Sequence, residues 1–383
     1  MKKILVIHNR YQYLGGEDIA VDNEINVLKR YFEVETIFFD NDLDNYFFQF
    51  FYFIFSNNRK SNSLIRKKIV ESNPDLIYVH NTWFKASLGI FKVIEELNIP
   101  VILKLHNFRY SCTKSLFSKQ HLLGENFCKA CGYKKENSII FNKYFKDSWF
   151  KSLLVLIYGR KYFSLIQKKN IKIVVLTNFH KEFIQSIGDF ENRVYVHPNP
   201  LEIIKKEIST SDNPYITYAG RISEEKGVKE LIEAFLEAKL PNIHLKIIGN
   251  GPSLEYLKRK YIDKNNIIFY GFLGNVETLN FISTSVAVIT ATKLHEGQPT
   301  LLCEASSLGV PSIFPDSGGI KDFFPAEYPL SYIPFDRNSL VAAIKKVENK
   351  DIIKKTSKQS FDHIFTYLEE KKLINNFQEI INV

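Results

Sequence analysis

Short apolar runs rich in β-branched residues recur along the first half of the chain, at Ile4–Ile7, Val34–Phe39, Leu76–Val79, Val101–Leu105 and Ile173–Leu176. Polar, Gly or Pro residues bound each run, the pattern of a buried strand. Between several of them, Ala20–Tyr31 and Leu88–Leu97 carry apolar residues at helical spacing. Strands alternating with helices predict a parallel sheet covered on both faces. Around 194–215 the alternation breaks: Tyr195-Val-His-Pro-Asn-Pro200 runs into a charged stretch and then Ser-Thr-Ser-Asp-Asn-Pro214. It restarts with strands over Tyr215–Tyr218, Leu245–Ile248, Ile267–Tyr270, Val286–Thr290 and Pro311–Phe314, and helices over Val228–Ala238, Leu254–Tyr261 and Pro299–Leu308. The predicted fold class is α/β, with two Rossmann-like doubly wound domains. They span 1–196 and 215–365, joined by a linker over 197–214. A helix over 366–383 is expected to pack back toward the first domain.

The length of 383 residues suits two domains. A composition of 45% apolar and 24% charged residues is ordinary for a globular protein and excludes disordered, collagen-like and disulfide-stapled classes. The net charge of +9 is unevenly spread: residues 1–200 hold 29 Lys+Arg against 19 Asp+Glu, and 101–172 hold 15 against 3. A basic half implies an anionic partner, whether phosphate, nucleic acid or an acidic membrane surface. The opening Met-Lys-Lys-Ile-Leu-Val-Ile7 is cut short by His8-Asn-Arg10, which reads as a first strand rather than an export signal. No run of 18 apolar residues occurs. Four Cys without an export signal fit a reducing cytoplasm.

The strongest chemical signal is His295-Glu-Gly-Gln-Pro-Thr-Leu-Leu-Cys-Glu304, which follows a strand and opens a helix. Its two carboxylates, Glu296 in the loop and Glu304 on the second helical turn, are eight residues apart. A helix start after a buried strand presents N–H groups and a positive dipole end to phosphate. By itself the spacing is weak. Three further turns strengthen it. Ala219-Gly-Arg-Ile-Ser-Glu-Glu-Lys-Gly227 sets Arg221 and Lys226 on one strand–helix turn, suited to clamping a diphosphate. Ile247-Ile-Gly-Asn-Gly-Pro252 and Ser317-Gly-Gly319 end two other strands. Open α/β sheets bind ligands where such strand ends meet.

Together these motifs resemble the donor-binding domain of GT-B glycosyltransferases of the retaining family-4 (group 1) type, over about 215–320. The resemblance implies two facing Rossmann-like domains and transfer of a hexose-type sugar from a nucleotide-diphosphate donor to a glycan or polyprenyl-linked acceptor in bacterial surface polysaccharide assembly, such as lipopolysaccharide, capsule or exopolysaccharide. It implies that Arg221 and Lys226 contact the diphosphate, Glu304 the ribose, and Glu296 the transferred sugar or reacting centre. Gly220, Gly249, Gly251, Pro299, Thr300 and Leu301 complete the donor site. Gln298 stands where the family usually has an aromatic residue or Leu. In the first half, Tyr13-Leu-Gly-Gly-Glu-Asp18 follows strand one, and the resemblance sets Gly16 against the donor phosphate or acceptor. It likewise sets His106, after the fourth strand, near the donor sugar as a second catalytic residue. His80-Asn81 ends another strand and has either a structural or a site role. Alternatives are a GT-B nucleotide-sugar epimerase or a catalytically inactive sugar-binding scaffold. Asp40-Asn-Asp42 mimics a metal motif of the other main glycosyltransferase fold but reads as a surface turn.

No catalytic cofactor is expected. Cys128-Lys-Ala-Cys131 is half a zinc knuckle. With Cys112 and His121 it would form a structural zinc site pinning an insertion around 110–135; uncomplexed thiols or a redox pair are the other reading. Cys303 reads as packing. The aromatic run Tyr46–Phe55 is either core or membrane contact. The stretch 143–172 mixes Lys/Arg with bulky apolar residues, which suggests an anionic membrane surface as partner and a cytoplasmic, peripheral location. Nucleic acid is not expected as a partner, since no motif for it appears.

Overall fold

A computed structural model describes the chain except residues 12–14, 42–45, 115–127, 133–147, 191, 202–212 and 383, and except the side chains of 46–50 and 114. The chain divides into two compact units, Met1–Pro200 with Glu370–Val383, and Leu201–Glu369.

The first unit is built on β1 (Lys3–Asn9), β2 (Glu33–Phe39), β3 (Leu76–Asn81), β4 (Val101–Leu105), β5 (Ile171–Val175) and β6 (Val194–Val196). All pair in parallel, in the order β2-β1-β3-β4-β5-β6. Alternating side chains feed two cores. Leu5, Ile7, Val79 and Leu103 face the helices Arg59–Ser72 and Gly89–Glu96, while Ile4, Val6, Tyr78 and Ile102 face the helix Gly16–Leu28. The last helix, Glu370–Asn382, completes that second core with Ile374, Phe377 and Ile380. Glu370 bonds Arg30 and Tyr31, and Lys172 caps the Ile380 carbonyl.

The second unit repeats the plan with β7 (Tyr215–Ala219), β8 (His244–Ile248), β9 (Ile267–Gly271), β10 (Ala287–Ile289), β11 (Ser312–Pro315) and β12 (Ser331–Tyr332). Their order is β12-β11-β10-β7-β8-β9, again all parallel. In each sheet the first strand has its successors on one side and later strands on the other. The strand order therefore reverses between β1 and β3 and between β7 and β10, which are the places where such sheets open a binding crevice.

Several boundaries differ from the expectation. Val194–Val196, where the alternation breaks and no strand was expected, is a sixth strand, too short at three residues for its pattern to show. Strand β1 runs on through His8 and Asn9, polar but fully buried. The helix expected over 366–383 begins at Glu370. The preceding helix, Lys350–Tyr367, stays with the second unit, where Ile364 and Leu368 are buried and Tyr367 packs on Phe323. The helix Asn275–Ser283 and the two-residue β12 went unpredicted.

Candidate active site

In the second unit, β11, β10, β7 and β8 lie side by side, so the four motif turns at their C-terminal ends are neighbours. Backbone bonds join them into one layer. Ile222 N–H donates to Asn250 O (2.9 Å), Ser253 N–H to Ile222 O (3.0 Å), Lys293 N–H to Glu225 O (2.9 Å) and Gly319 N–H to Glu296 O (3.0 Å). The glycines make this approach possible. At Gly249 (φ +132°) a Cβ would lie 1.9 Å from Gly220 O, and at Gly227 (φ +66°) 2.1 Å from Ala291 O. Turn-to-turn packing thus explains Gly249 by itself, and Gly251 likewise, whose Cβ would lie 2.3 Å from Ile222 O; Gly220 is required by its backbone, at φ +148°.

On this layer Lys226 Nζ pairs with Glu296 Oε1 at 2.5 Å, and the Thr292 hydroxyl donates to the same oxygen at 2.9 Å. Burial opposes ionisation of Glu296, but the Lys226 charge and these two bonds outweigh it and hold the carboxyl below its ordinary range. Both side chains remain about a quarter exposed, 28% and 24%. Arg221 is exposed, and its guanidinium bonds no described residue. Glu304 is half-buried on the helix Thr300–Ser307; its carboxyl has no hydrogen-bond partner among the described residues, and burial pushes it up to about 7. Pro299 is the cap of this helix rather than its first residue. The helix start offers fewer donors than expected, because Thr300 N–H is taken by Gln298 O and the N–H groups of Leu302 and Cys303 by Pro299 O. Leu301 N–H is the remaining first-turn amide.

The first unit gathers its polar groups differently. The ends of β1, β3 and β4 line an open pocket with aromatic walls at Tyr11, Trp83, Tyr158 and Tyr162. Glu17 lies in it, accepting from Tyr11 Oη (2.9 Å) and Asn107 Nδ2 (3.3 Å). Burial pushes Glu17 up to about 7 against the pull of Tyr11 and Arg109. The neighbouring Asp18 turns inward instead: it bonds His8 Nε2 at 2.8 Å and accepts from Gly15 N–H at 3.0 Å, fixing the glycine turn. Gly16 opens the helix Gly16–Leu28, and a Cβ there would meet nothing within 4 Å. His106 lines the pocket and meets His80, Nε2 to Nδ1, at 2.9 Å. Burial lowers both, His80 to about 3, so both rings are neutral near pH 7. Beneath them lies a buried ion pair, Lys104 to Glu24 at 2.7 Å, with Tyr78 and His197 also on Glu24. His197 in turn bonds Asn376 of the last helix.

Residues 200–360 match the family model described as Glycosyl transferases group 1. The second unit is thus similar to the glycosyl transferases group 1 domain. The fold of the whole chain is GT-B: it superposes on Anabaena HepE in complex with UDP and glucose with a TM-score of 0.72, at 14% identity, over 100% of each chain. Among curated relatives, it is 29% identical to a putative teichuronic acid biosynthesis glycosyltransferase of Bacillus subtilis, over 44% of this chain and 42% of that one. It is 28% identical to the lipopolysaccharide 1,6-galactosyltransferase of Escherichia coli, over 50% and 58%. The chain thus spans about half the length of the curated relatives it matches.

Within this GT-B chain the three cysteines Cys112, Cys128 and Cys131 come together, their sulfurs all within 4.8 Å; His121 lies outside the described residues. Cys303 is fully buried on the Thr300–Ser307 helix. Of the basic stretch, 143–147 lies outside the described residues, and Trp149–Ile166 is a helix with Trp149, Phe150 and Leu153 exposed by 42%, 57% and 44%. Phe51 and Phe55 are exposed on the helix Tyr46–Phe55, which packs against it through Phe53 on Tyr158 and through Lys161 on the Ile54 carbonyl. No helix among the described residues is long and apolar enough to cross a membrane. Glu17 is the functional candidate the sequence reading passed over. It sits in the quoted Gly-Gly-Glu-Asp turn, but nothing in the motif tells which of the two acids faces the pocket.

Proposed function

We propose that this GT-B chain is a retaining glycosyltransferase of the family-4 type. In this reading it moves a hexose-type sugar from a nucleotide-diphosphate donor to a glycan or polyprenyl-linked acceptor in bacterial surface polysaccharide assembly. The carrying observation is that Arg221, Lys226 and Glu296 stand on one bonded layer of turns at the strand-order reversal, with Glu304 on the helix that follows the Glu296 loop. Arg221 and Lys226 take the diphosphate and neutralise it as it departs. The carboxyl of Glu304, half-buried with no hydrogen-bond partner among the described residues, is suited to the ribose hydroxyls. An arriving phosphate competes for Lys226 and leaves Glu296 to the sugar, where a carboxylate stabilises an oxocarbenium-like centre. The departing phosphate oxygen takes the acceptor's proton on the same face, which retains the anomeric configuration. Two side-chain cations perform the neutralisation, so turnover is expected to be indifferent to added Mg²⁺.

The pocket of the first unit suits a sugar: aromatic rings stack on its apolar face, while Glu17, Asn107 and the neutral His106 bond hydroxyls. The exposed Trp149, Phe150 and Leu153 beside Arg160 and Lys161 suit a peripheral contact with an anionic membrane surface. The surface-polymer names of the relatives support the pathway.

Incubating the purified chain with nucleotide-diphosphate sugars tests the reading. A transferase releases nucleoside diphosphate, slowly by hydrolysis and faster with acceptor. An inactive scaffold binds without release, and an epimerase returns an isomerised nucleotide sugar.

A further inference from the structure

The short helix Arg109–Lys114 forms one wall of the first unit's pocket through Arg109, Tyr110 and Thr113. Cys112 of the same helix does not line the pocket. It is buried against Cys128 and Cys131, with Cys112 and Cys128 Sγ atoms 3.3 Å apart and all three within 4.8 Å. Tetrahedral zinc, with Zn–S near 2.3 Å, sets its sulfurs roughly 3.8 Å apart, inside this range. A disulfide needs about 2.05 Å, and an odd number of thiols cannot all pair that way. The Cys128–Cys131 turn is closed by Gly132 N–H on Cys128 O at 2.8 Å, which brings both sulfurs to one side. The donor set is thiolate alone among the described residues, a soft set that selects zinc over magnesium or calcium.

We propose that Cys112, Cys128 and Cys131 hold a zinc ion through three thiolates, and that the metal staples the Arg109–Lys114 pocket wall to the segment Cys128–Gly132. Each thiol gives its proton to solvent as the metal binds. The three sulfurs account for three of four tetrahedral positions. The ion stands behind the pocket wall, so its role is structural. Nothing in this inference depends on the glycosyltransferase reading, because metal content is measured without any sugar nucleotide.

The test begins with elemental analysis of the full chain purified anaerobically without chelator. The expected content is about one zinc per chain, lost in Cys112→Ser and in Cys128→Ser but kept in Cys303→Ser. Should the first two variants fail to fold, an organomercurial titration of the wild type gives the same answer: zinc, read with a chromogenic chelator, leaves in step with three of the four thiols. Cobalt exchanged into the chain should show a thiolate-to-cobalt charge-transfer band and the intense visible bands of a tetrahedral site. A chain that carries no zinc and develops no such band overturns the proposal, as does a two-hydrogen mass loss locating a disulfide between Cys112 and Cys128. Hydrogen exchange then checks the stapling. Metal removal should raise exchange at Arg109–Lys114 and leave Thr300–Ser307 unchanged; unchanged exchange at Arg109–Lys114 refutes that part.

Discussion

The two units place charged groups at the same point of the same topology, yet they hold them in opposite ways. In the second unit the charges stand on turns, partly exposed and held by a neighbour on the next turn, as Lys226 is by Glu296. In the first they are sunk between sheet and helix: Lys104 on β4 and Glu24 on the helix Gly16–Leu28 are fully buried, and burial favours the neutral forms of His8, His80 and His106. A pair on turns can be opened by an arriving anion at modest cost. A pair in the core cannot, because each partner alone would be a buried charge. The second unit is therefore built to exchange partners with a ligand, and the first to keep a fixed wall behind a pocket.

The largest effect should come from the buried pair. Lys104→Met strands the Glu24 charge and should cost about 3–5 kcal/mol of stability. Denaturant unfolding measures this, and nucleoside diphosphate affinity of the still-folded variant should stay at wild-type level. A cost below about 1 kcal/mol would erase the contrast between the units, since that is the range of exposed pairs.

Next is Glu296→Gln, which should lower turnover by about 10²–10³-fold, as for loss of one transition-state stabilising group. Nucleoside diphosphate affinity should change far less, because its proposed partner is the sugar. Steady-state kinetics beside calorimetry separates the two. Arg221→Ala and Glu304→Ala should reverse that split, each weakening nucleoside diphosphate binding by about 1.5–3 kcal/mol.

A smaller effect is expected from pH. The folded carboxyl of Glu304 titrates near 7, above its ordinary 4.5, so the native state keeps the proton longer than the unfolded chain. Its contribution to stability is present below 4.5 and lost as pH rises through about 7. Glu304→Gln should flatten that slope, and wild-type nucleotide affinity should rise over the same window as the carboxylate forms. The smallest effect belongs to the proposed membrane face. Replacing Trp149 and Phe150 with Ser should reduce cosedimentation with anionic vesicles at high salt more than at low salt, because the basic residues alone are screened.

How far the sequence told this in advance also differs between the units. The turns of the second are short-range: Gly-Arg-x4-Lys-Gly and Glu-x7-Glu lie within single strand–helix links, and the glycines are dictated by close backbone approach at Gly227 and Gly249. Such constraints print themselves as residue types at fixed spacing. In the first unit Glu24 meets Lys104 eighty residues on, and His197 reaches Asn376. No local pattern reports those pairings. His106 was legible as a strand-end residue, but Glu17 was not separable from Asp18, because only the three-dimensional turn shows which acid is spent on His8. The helix Asn275–Ser283 was missed because its apolar positions do not fall on one clear face.

The central claim is that the second unit's layer of turns holds a nucleotide-diphosphate sugar for transfer. It is tested most directly by offering a panel of such donors with a lipid extract as acceptor and determining the product by mass spectrometry and the anomeric configuration by NMR. The expected result is one nucleoside diphosphate released per sugar transferred, a new glycosidic bond with the donor's configuration, and loss of product with Glu296→Gln. Inverted configuration, or an isomerised nucleotide sugar with no diphosphate released, would contradict it.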